Sequence, residues 1–239
     1  MSKKVINQKT NHDLHLVNLI ESNFLFNKKP INRFNNTHIA LNEKNIDKKK
    51  ALAQLKADMN SIKNCNLKKN STQLILGDGN IDSLIMLIGE APGLEEEKSG
   101  SIFMGETGEL LEKMLTAINI KKENIYSTYA VNFRPPEDRK PTSLEIKRYS
   151  SYLQKHISII NPKMIILMGS TAMESLTGLN SRISIERGKW KDVIIKNTSY
   201  KTIITFNPSY LLRVPENKKY SWEDLKKIKK KINEMKIII

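Results

Sequence analysis

The sequence predicts an α/β fold, a three-layer sandwich in which a central, mostly parallel sheet is flanked by helices on both faces. Three observations predict it. Short apolar runs of strand length end in turn-forming residues, amphipathic runs of helical spacing lie between them, and the two alternate from about residue 66 onward.

The elements follow in order. SLIMLIG (83–89) is an apolar run ending in Gly, the mark of a buried strand, and GELLEKMLTAI (108–118) sets Leu110, Leu111, Met114, Leu115 and Ile118 on one helical face. IYSTYAV (125–131) is rich in β-formers. SLEIKRYSSYLQKHISII (143–160) reads as a helix capped by Thr142 or Ser143, with Glu145 near its first turn, and Pro162 separates it from the strand KMIILMG (163–169). TAMESL is a short helix, YKTIITF (200–206) a further strand, and WEDLKKIKKKINEM a basic closing helix. Residues 1–60 form a separate arm and 61–239 the main domain. In the arm, HDLHLVNLIESNF (12–24) has helical apolar spacing, an Asn- and Lys-rich linker follows, and KKKALAQLKADMNSI is a second amphipathic stretch.

The chain has 239 residues, and its 40 basic and 25 acidic side chains give a net charge of +15. Such a field attracts polyanions, nucleic acid above all, although the abundance of Lys, Ile and Asn is also what an AT-rich genome produces through codon bias. No run of eighteen apolar residues marks a membrane span, and MSKKVINQKTNHD lacks the apolar core of a secretory signal, so a cytoplasmic location is expected. One cysteine, Cys65, excludes an intramolecular disulfide and a metal site of several thiolates.

In such folds ligands bind beyond the carboxyl ends of the strands, so chemistry is expected in the segments that follow strands. Three stand out: Gly89-Glu90-Ala91-Pro92-Gly93 with Glu95, Glu96 and Glu97 behind it; Asn132-Phe133-Arg134-Pro135-Pro136; and Phe206-Asn207-Pro208-Ser209-Tyr210-Leu211-Leu212-Arg213. Taken singly, each is a weak signal, since a Gly- and Pro-rich turn after a strand is usually just a turn. GEAPG lacks the Lys-Ser/Thr of a P-loop, which argues against a nucleotide-binding protein.

Together these segments resemble the family 4 uracil-DNA glycosylases over about residues 62–230. GDGN (77–80), GEAPG, SIFMG leading into GETGELLEKML, RPPEDRKPTSLEI and NPSYLLRVPENKKYSWEDL carry the likeness. The resemblance implies excision of uracil, or a related deaminated base, from single- or double-stranded DNA by a monomer. A base inside a stacked duplex cannot be attacked, so the nucleotide is flipped into a pocket. Cleaving the glycosidic bond leaves a cationic sugar and an anionic base, which calls for negative charge, an oriented water and donors at the base oxygen. The resemblance assigns Glu90, Glu96 and Asn207 to this chemistry, Phe103 to stacking, and Gly89, Ala91, Tyr129 and Asp138 to the base pocket. It assigns Ser209, Leu211, Leu212 and Arg213 to DNA, with the two leucines as a wedge.

Four departures from the family pattern bear on competence. The family's ligands for an iron–sulfur cluster fall at Ile62, Cys65, Phe133 and Tyr149, so one thiolate remains where such clusters use four, and no metal or other cofactor is expected. The leaving-group histidine is Asn207, a neutral donor. The asparagine that reads the base edge is Tyr129, whose single hydroxyl cannot match both a donor and an acceptor. Asn132, three residues on, should face the opposite side of the strand. Asp138 replaces an asparagine and sets negative charge where DNA approaches. The alternative to an enzyme is therefore a homologue that binds damaged or single-stranded DNA with little turnover.

Overall fold

The structure is a computed structural model that describes residues 48–237. It contains one six-stranded sheet of order β1-β3-β2-β4-β6-β5. β2 (Ile85–Gly89), β3 (Tyr126–Tyr129), β4 (Met164–Met168) and β6 (Thr198–Thr205) run parallel, while the short β1 (Asp78–Gly79) and β5 (Trp190–Ile195) are antiparallel edges. The mostly parallel sheet expected from the sequence is present, and the two antiparallel edges are additions to it.

Helices cover both faces. Strand residues of alternate parity point to opposite sides, which is the source of two separate cores. Leu87, Ile166 and Ile203 pack with Leu111, Met114 and Leu115 of α4 (Gly105–Thr116) and with Leu225, Ile228 and Ile232 of α9 (Lys218–Glu234). Met86, Ile88, Ile165 and Leu167 pack with Leu153, Ile157 and Ile160 of α5 (Ser143–Ile160) and with Ala172 and Met173 of α6 (Ser170–Thr177). α5 begins where its cap predicts: Thr142 Oγ1 accepts from Glu145 N at 3.3 Å and Glu145 Oε2 accepts from Thr142 N at 2.8 Å, a reciprocal capping box.

Helix α1 (Lys48–Asn60), grouped with the arm on sequence, packs into the main domain through buried Leu52, Leu55 and Met59. The unit that holds the sheet therefore includes α1. The amphipathic stretch 12–24 lies outside the described residues. The remaining helices are α2 (Asn66–Asn70), α3 (Leu94–Ser99), α7 (Ile183–Glu186) and α8 (Pro208–Arg213). No helix among the described residues is long and apolar enough to cross a membrane.

β5 and β6 form a hairpin whose two turn residues, Lys196 (φ 45°) and Asn197 (φ 66°), are both left-handed, as a tight turn matched to strand twist requires. The strand order reverses between β2 and β4: β3 lies on one side of β2, β4 on the other. That switch point opens a crevice at the carboxyl ends of the two strands.

One buried titratable group ties the second core to pH. His156 of α5 is 1 % exposed, and its Nε2 lies 2.9 Å from the Tyr126 hydroxyl. Burial lowers its pKa to about 3, so the imidazole is neutral in the fold. In the unfolded chain the pKa is about 6.5. The contribution is therefore complete above pH ~6.5 and is lost as pH falls towards 3, because the unfolded chain takes up the proton first. Thermal melts should show Tm declining through this window. His156→Leu should lower Tm at neutral pH and flatten the decline; an unchanged slope would remove His156 as its cause.

Candidate active site

A cleft of about 580 Å³ sits at the switch point, lined by Glu90, Ala91, Glu96, Phe103, Tyr129, Asp138, Asn207, Ser209 and Arg213 among others. Residues from all three segments singled out in the sequence thus converge. Glu90 follows β2, Ser170 and Thr171 follow β4 as the first turn of α6, and Asn207 follows β6. Glu90 Oε1 accepts from Thr171 N at 2.9 Å and from Ser170 Oγ at 3.3 Å, while Oε2 accepts from Asn207 Nδ2 at 3.2 Å. The carboxylate thus lies at a helix N-terminus, where backbone N–H groups and the helix dipole favour negative charge. Gly169 makes room for it: its φ is 104°, and a Cβ there would overlap the Glu90 carboxyl.

Asn207 is the N-cap of α8. Its Oδ1 accepts from Ser209 N at 3.1 Å, so the oxygen is spent on the helix and one Nδ2 hydrogen on Glu90. A carboxamide nitrogen has two hydrogens, which leaves one.

Glu96 lines the cleft, and its carboxylate is already engaged by backbone donors. Oε2 accepts from Gly93 N at 2.9 Å, capping α3, and Oε1 accepts from Met104 N at 3.0 Å. The side chain is 7 % exposed and ties the GEAPG turn to the segment that carries Phe103. Glu96 thus braces this segment while lining the cleft beside Glu90. Glu95 is exposed, while Glu97 is buried and bonded to Arg134 Nη1 at 3.1 Å, Ser71 Oγ at 2.7 Å and Thr72 N at 2.8 Å. Burial pushes the Glu97 carboxyl up, but the Ser71, Thr72 and Arg134 donors outweigh it and hold the pKa below the usual range. Arg134 also grips Asp138, Nε to Oδ1 at 2.7 Å and Nη2 to Oδ2 at 3.1 Å. The Asp138 charge is therefore compensated, which corrects the expectation of bare negative charge facing DNA. Glu137 and Asp138 hold φ of 55° and 53°, two successive left-handed residues that turn the chain so that this pair can form.

Phe103 and Tyr129 lie together at the cleft wall, ring centroids 5.2 Å apart and tilted by 55°. Both are only 2 % exposed, so Phe103 presents little free face and its stacking surface is shared with Tyr129. Phe103 takes φ 51°, an unusual conformation for a bulky residue, and its N–H donates to the Tyr129 hydroxyl at 3.1 Å. Burial and the nearby Glu96 carboxylate push the Tyr129 pKa well above its ordinary value, so it is a neutral phenol. Asn132 is buried elsewhere, donating to Ile75 O at 2.8 Å and Leu76 O at 3.1 Å, so it does not replace the missing pocket amide.

The proposed wedge needs correction. Leu211 is 1 % exposed and belongs to the core shared with α4 and α9, whereas Leu212 is half-buried and Arg213 exposed. Leu211 cannot enter a base stack without leaving that core; Leu212 remains available. The sequence reading also missed Arg187 and Asp224. Asp224 is wholly buried and accepts from Arg187 Nε at 2.9 Å and from Thr205 Oγ1 at 3.1 Å, while Arg187 lies over the rings of Phe206 and Tyr220. The pair fixes α9 to the end of β6, directly before Asn207. On α9, Lys226 pairs with Glu223 and Lys227 donates to Gly188 O, so neither is a free phosphate ligand in this state.

The four positions that correspond to cluster ligands come together, but not as a metal site. Cys65, Phe133 and Tyr149 are buried in one cluster with Leu55, Met59 and Ile146, and Ile62 packs against it. Cys65 Sγ is 3.3 Å from the Tyr149 hydroxyl, and the Phe133 and Tyr149 rings meet edge-on at 6.4 Å. Ile62 and Phe133 offer no ligand atom, so the residues do not fit an iron–sulfur cluster.

Gly89 explains how two rings crowd one strand end. A Cβ there would lie 2.8 Å from Tyr129 ring carbons and 2.9 Å from Phe103 Cζ. Gly89→Ala should therefore cost about 1–3 kcal/mol through overpacking. In a Tyr129→Asn background the same change should cost clearly less; equal costs in a denaturant double-mutant cycle would show that the two positions do not press on each other.

Comparison with known proteins agrees with this geometry. The profile of the Uracil DNA glycosylase superfamily matches residues 76–229. The type-4 uracil-DNA glycosylase of Thermotoga maritima is 38% identical over 168 residues, covering 69% of this chain and 86% of the relative. Those of Archaeoglobus fulgidus (31%, covering 74% of this chain and 92% of the relative) and Sulfurisphaera tokodaii (35%, covering 75% and 84%) align over similar spans. Fold, convergence of the three motifs and these matches lead to one assignment: the chain belongs to the uracil-DNA glycosylase superfamily and resembles its type-4 branch.

Proposed function

We propose that the chain hydrolyses the N-glycosidic bond of uracil, or a related deaminated base, in DNA after flipping the nucleotide into the cleft. It does so as a cytoplasmic monomer and without a metal cofactor. The single observation that carries this reading is the Glu90 carboxylate, held by three donors in a cleft at the switch point. Departure of the base leaves positive charge on the sugar, and Glu90 supplies the opposing charge and orients the attacking water. The remaining Asn207 N–H is the donor for the anionic base. Phe103 with Tyr129 forms the wall against the base, and Leu212 with Arg213 meets the strand.

A second reading, binding of damaged or single-stranded DNA with little turnover, is favoured by Tyr129. Its hydroxyl already accepts the Phe103 N–H, so it offers at most a donor where uracil presents both an acceptor and an N–H.

Abasic-site formation on uracil-containing oligonucleotides separates the two. Glu90→Gln should lower the rate about 10²–10⁴-fold. Asn207→His should raise it, and adding Tyr129→Asn should sharpen preference for uracil over other bases. If wild type and the restored double variant are equally inert while DNA binding persists, the enzyme reading fails and the binding reading stands.

The cofactor proposal rests on the packed cluster around Cys65 and Tyr149. Anaerobically purified protein should lack the visible thiolate-to-iron charge-transfer absorption. Stoichiometric iron and sulfide in the purified chain would overturn it.

A further inference from the structure

Behind the cleft lies a second concavity, of about 200 Å³. α4 contributes Leu110, Met114 and Lys113, α9 contributes Ser221 and Trp222, and Leu211 of α8 forms the floor. Three features mark it as a ligand site rather than an imperfection of packing. First, Trp222 is 44% exposed, a large ring left half in water at the edge of an apolar slot. Second, the charged residues that line the slot, Lys113 and Lys218, are both cations, and neither has an acidic partner among the described residues. Third, Ser221 is 2% exposed and its Oγ has no hydrogen-bond partner. Buried hydroxyls without partners are uncommon and call for an explanation. Among the described residues the other such hydroxyl, Thr171 Oγ1, belongs to a residue that lines the main cleft.

We propose that this groove binds an unflipped nucleobase of the same DNA strand whose target base enters the cleft. Stacking on an aromatic face is sequence-tolerant and every base provides it. Lys113 and Lys218 supply charge for the flanking phosphates, and the Ser221 hydroxyl supplies a polar group for the base edge. The groove is also placed for it. α8 separates the two concavities, with Ser209, Tyr210 and Arg213 lining the cleft and Leu211 under the groove, so they lie about one helix diameter, roughly 10–12 Å, apart. An apolar peptide would use the slot but leave the two cations without a role. The inference rests on the DNA reading of the cleft but not on turnover there.

The test uses the full chain and uracil-free oligothymidylate, so that binding is read apart from excision. A strand of about fifteen nucleotides should quench tryptophan fluorescence in the wild type and not in Trp222→Phe, which leaves Trp190 as the remaining tryptophan. Trp222→Ala should weaken binding of this strand about tenfold, with Phe restoring most of it. Excision from a uracil-centred trinucleotide, whose flanking bases fall short of the groove, should not change. Lys113→Glu should weaken the long strand and reduce its salt dependence. A long strand that binds without Trp222-dependent quenching, or whose affinity is unchanged in Trp222→Ala, overturns the groove and leaves it to a peptide partner. Long-strand binding that depends on Trp222 in a chain unable to excise uracil keeps the groove and refutes the glycosylase reading.

Discussion

Three strand ends of this sheet meet at one carboxylate. Glu90 leaves β2, takes the backbone N–H and hydroxyl offered by the start of α6 after β4, and takes the amide of Asn207 after β6. The hydrogen bonds involved are charge-assisted and roughly twice as strong as neutral ones. Losing the carboxylate would leave Thr171 N and Asn207 Nδ2 without this acceptor, so the crevice would loosen at its base. The carboxylate thus holds the cleft's three sources in register. A departure at position 207 is therefore felt twice. The Asn207 amide caps α8 through the oxygen and clamps Glu90 through the nitrogen, so both would change with the side chain.

The aromatic side of the cleft has a similar economy. Tyr129 sits where the end of β3 approaches Gly89, and its hydroxyl accepts the N–H of Phe103, a residue held in a left-handed conformation. Glu96 secures the same segment from the other side through Met104 N. On the far side of the RPP turn, the Cys65, Phe133 and Tyr149 positions fill their volume by edge-on ring packing and a thiol–phenol contact. Burial pushes the Tyr149 phenol above its ordinary pKa; burial also pushes the Cys65 thiol up, but the Tyr149 hydroxyl and the donors of Lys68, Arg148 and Leu67 outweigh it and hold the thiol below its usual range. Apolar burial and a satisfied pair of weakly polar groups hold this region without ligand bonds.

Much of the fold was legible because parallel strands buried on both faces are written as unbroken apolar runs. MIILM and IMLIG are such runs, and α5 announced its start through Thr142 and Glu145. β5 was not legible: Trp190–Ile195 alternates partly exposed residues at an edge, and its hairpin turn is Lys-Asn rather than the Asn-Gly that signals such turns. At the site, the rule that chemistry follows strands found Glu90 and Asn207, but their bond joins residues far apart in sequence. So do Arg134 with Glu97 and Arg187 with Asp224, and no local pattern encodes such pairs. Neighbouring leucines on a helix point about 100° apart, so one of Leu211 and Leu212 had to face inward, and the sequence could not say which. The capping role of Glu96 was not singled out either, although a carboxylate three residues after Gly93 satisfies a capping pattern.

The buried bolt between Arg187, Asp224 and Thr205 has a mechanical meaning. It anchors α9 to β6 immediately before the strand delivers Phe206 and Asn207, while Leu225, Ile228 and Ile232 press the same helix onto the sheet. Helix and strand end are therefore tied to each other, and the spacing between the concavity beside α9 and the cleft beyond β6 follows from that tie. A flexible polymer that reaches from one to the other has to bend to that length, and the conformational cost of the fit falls on the polymer.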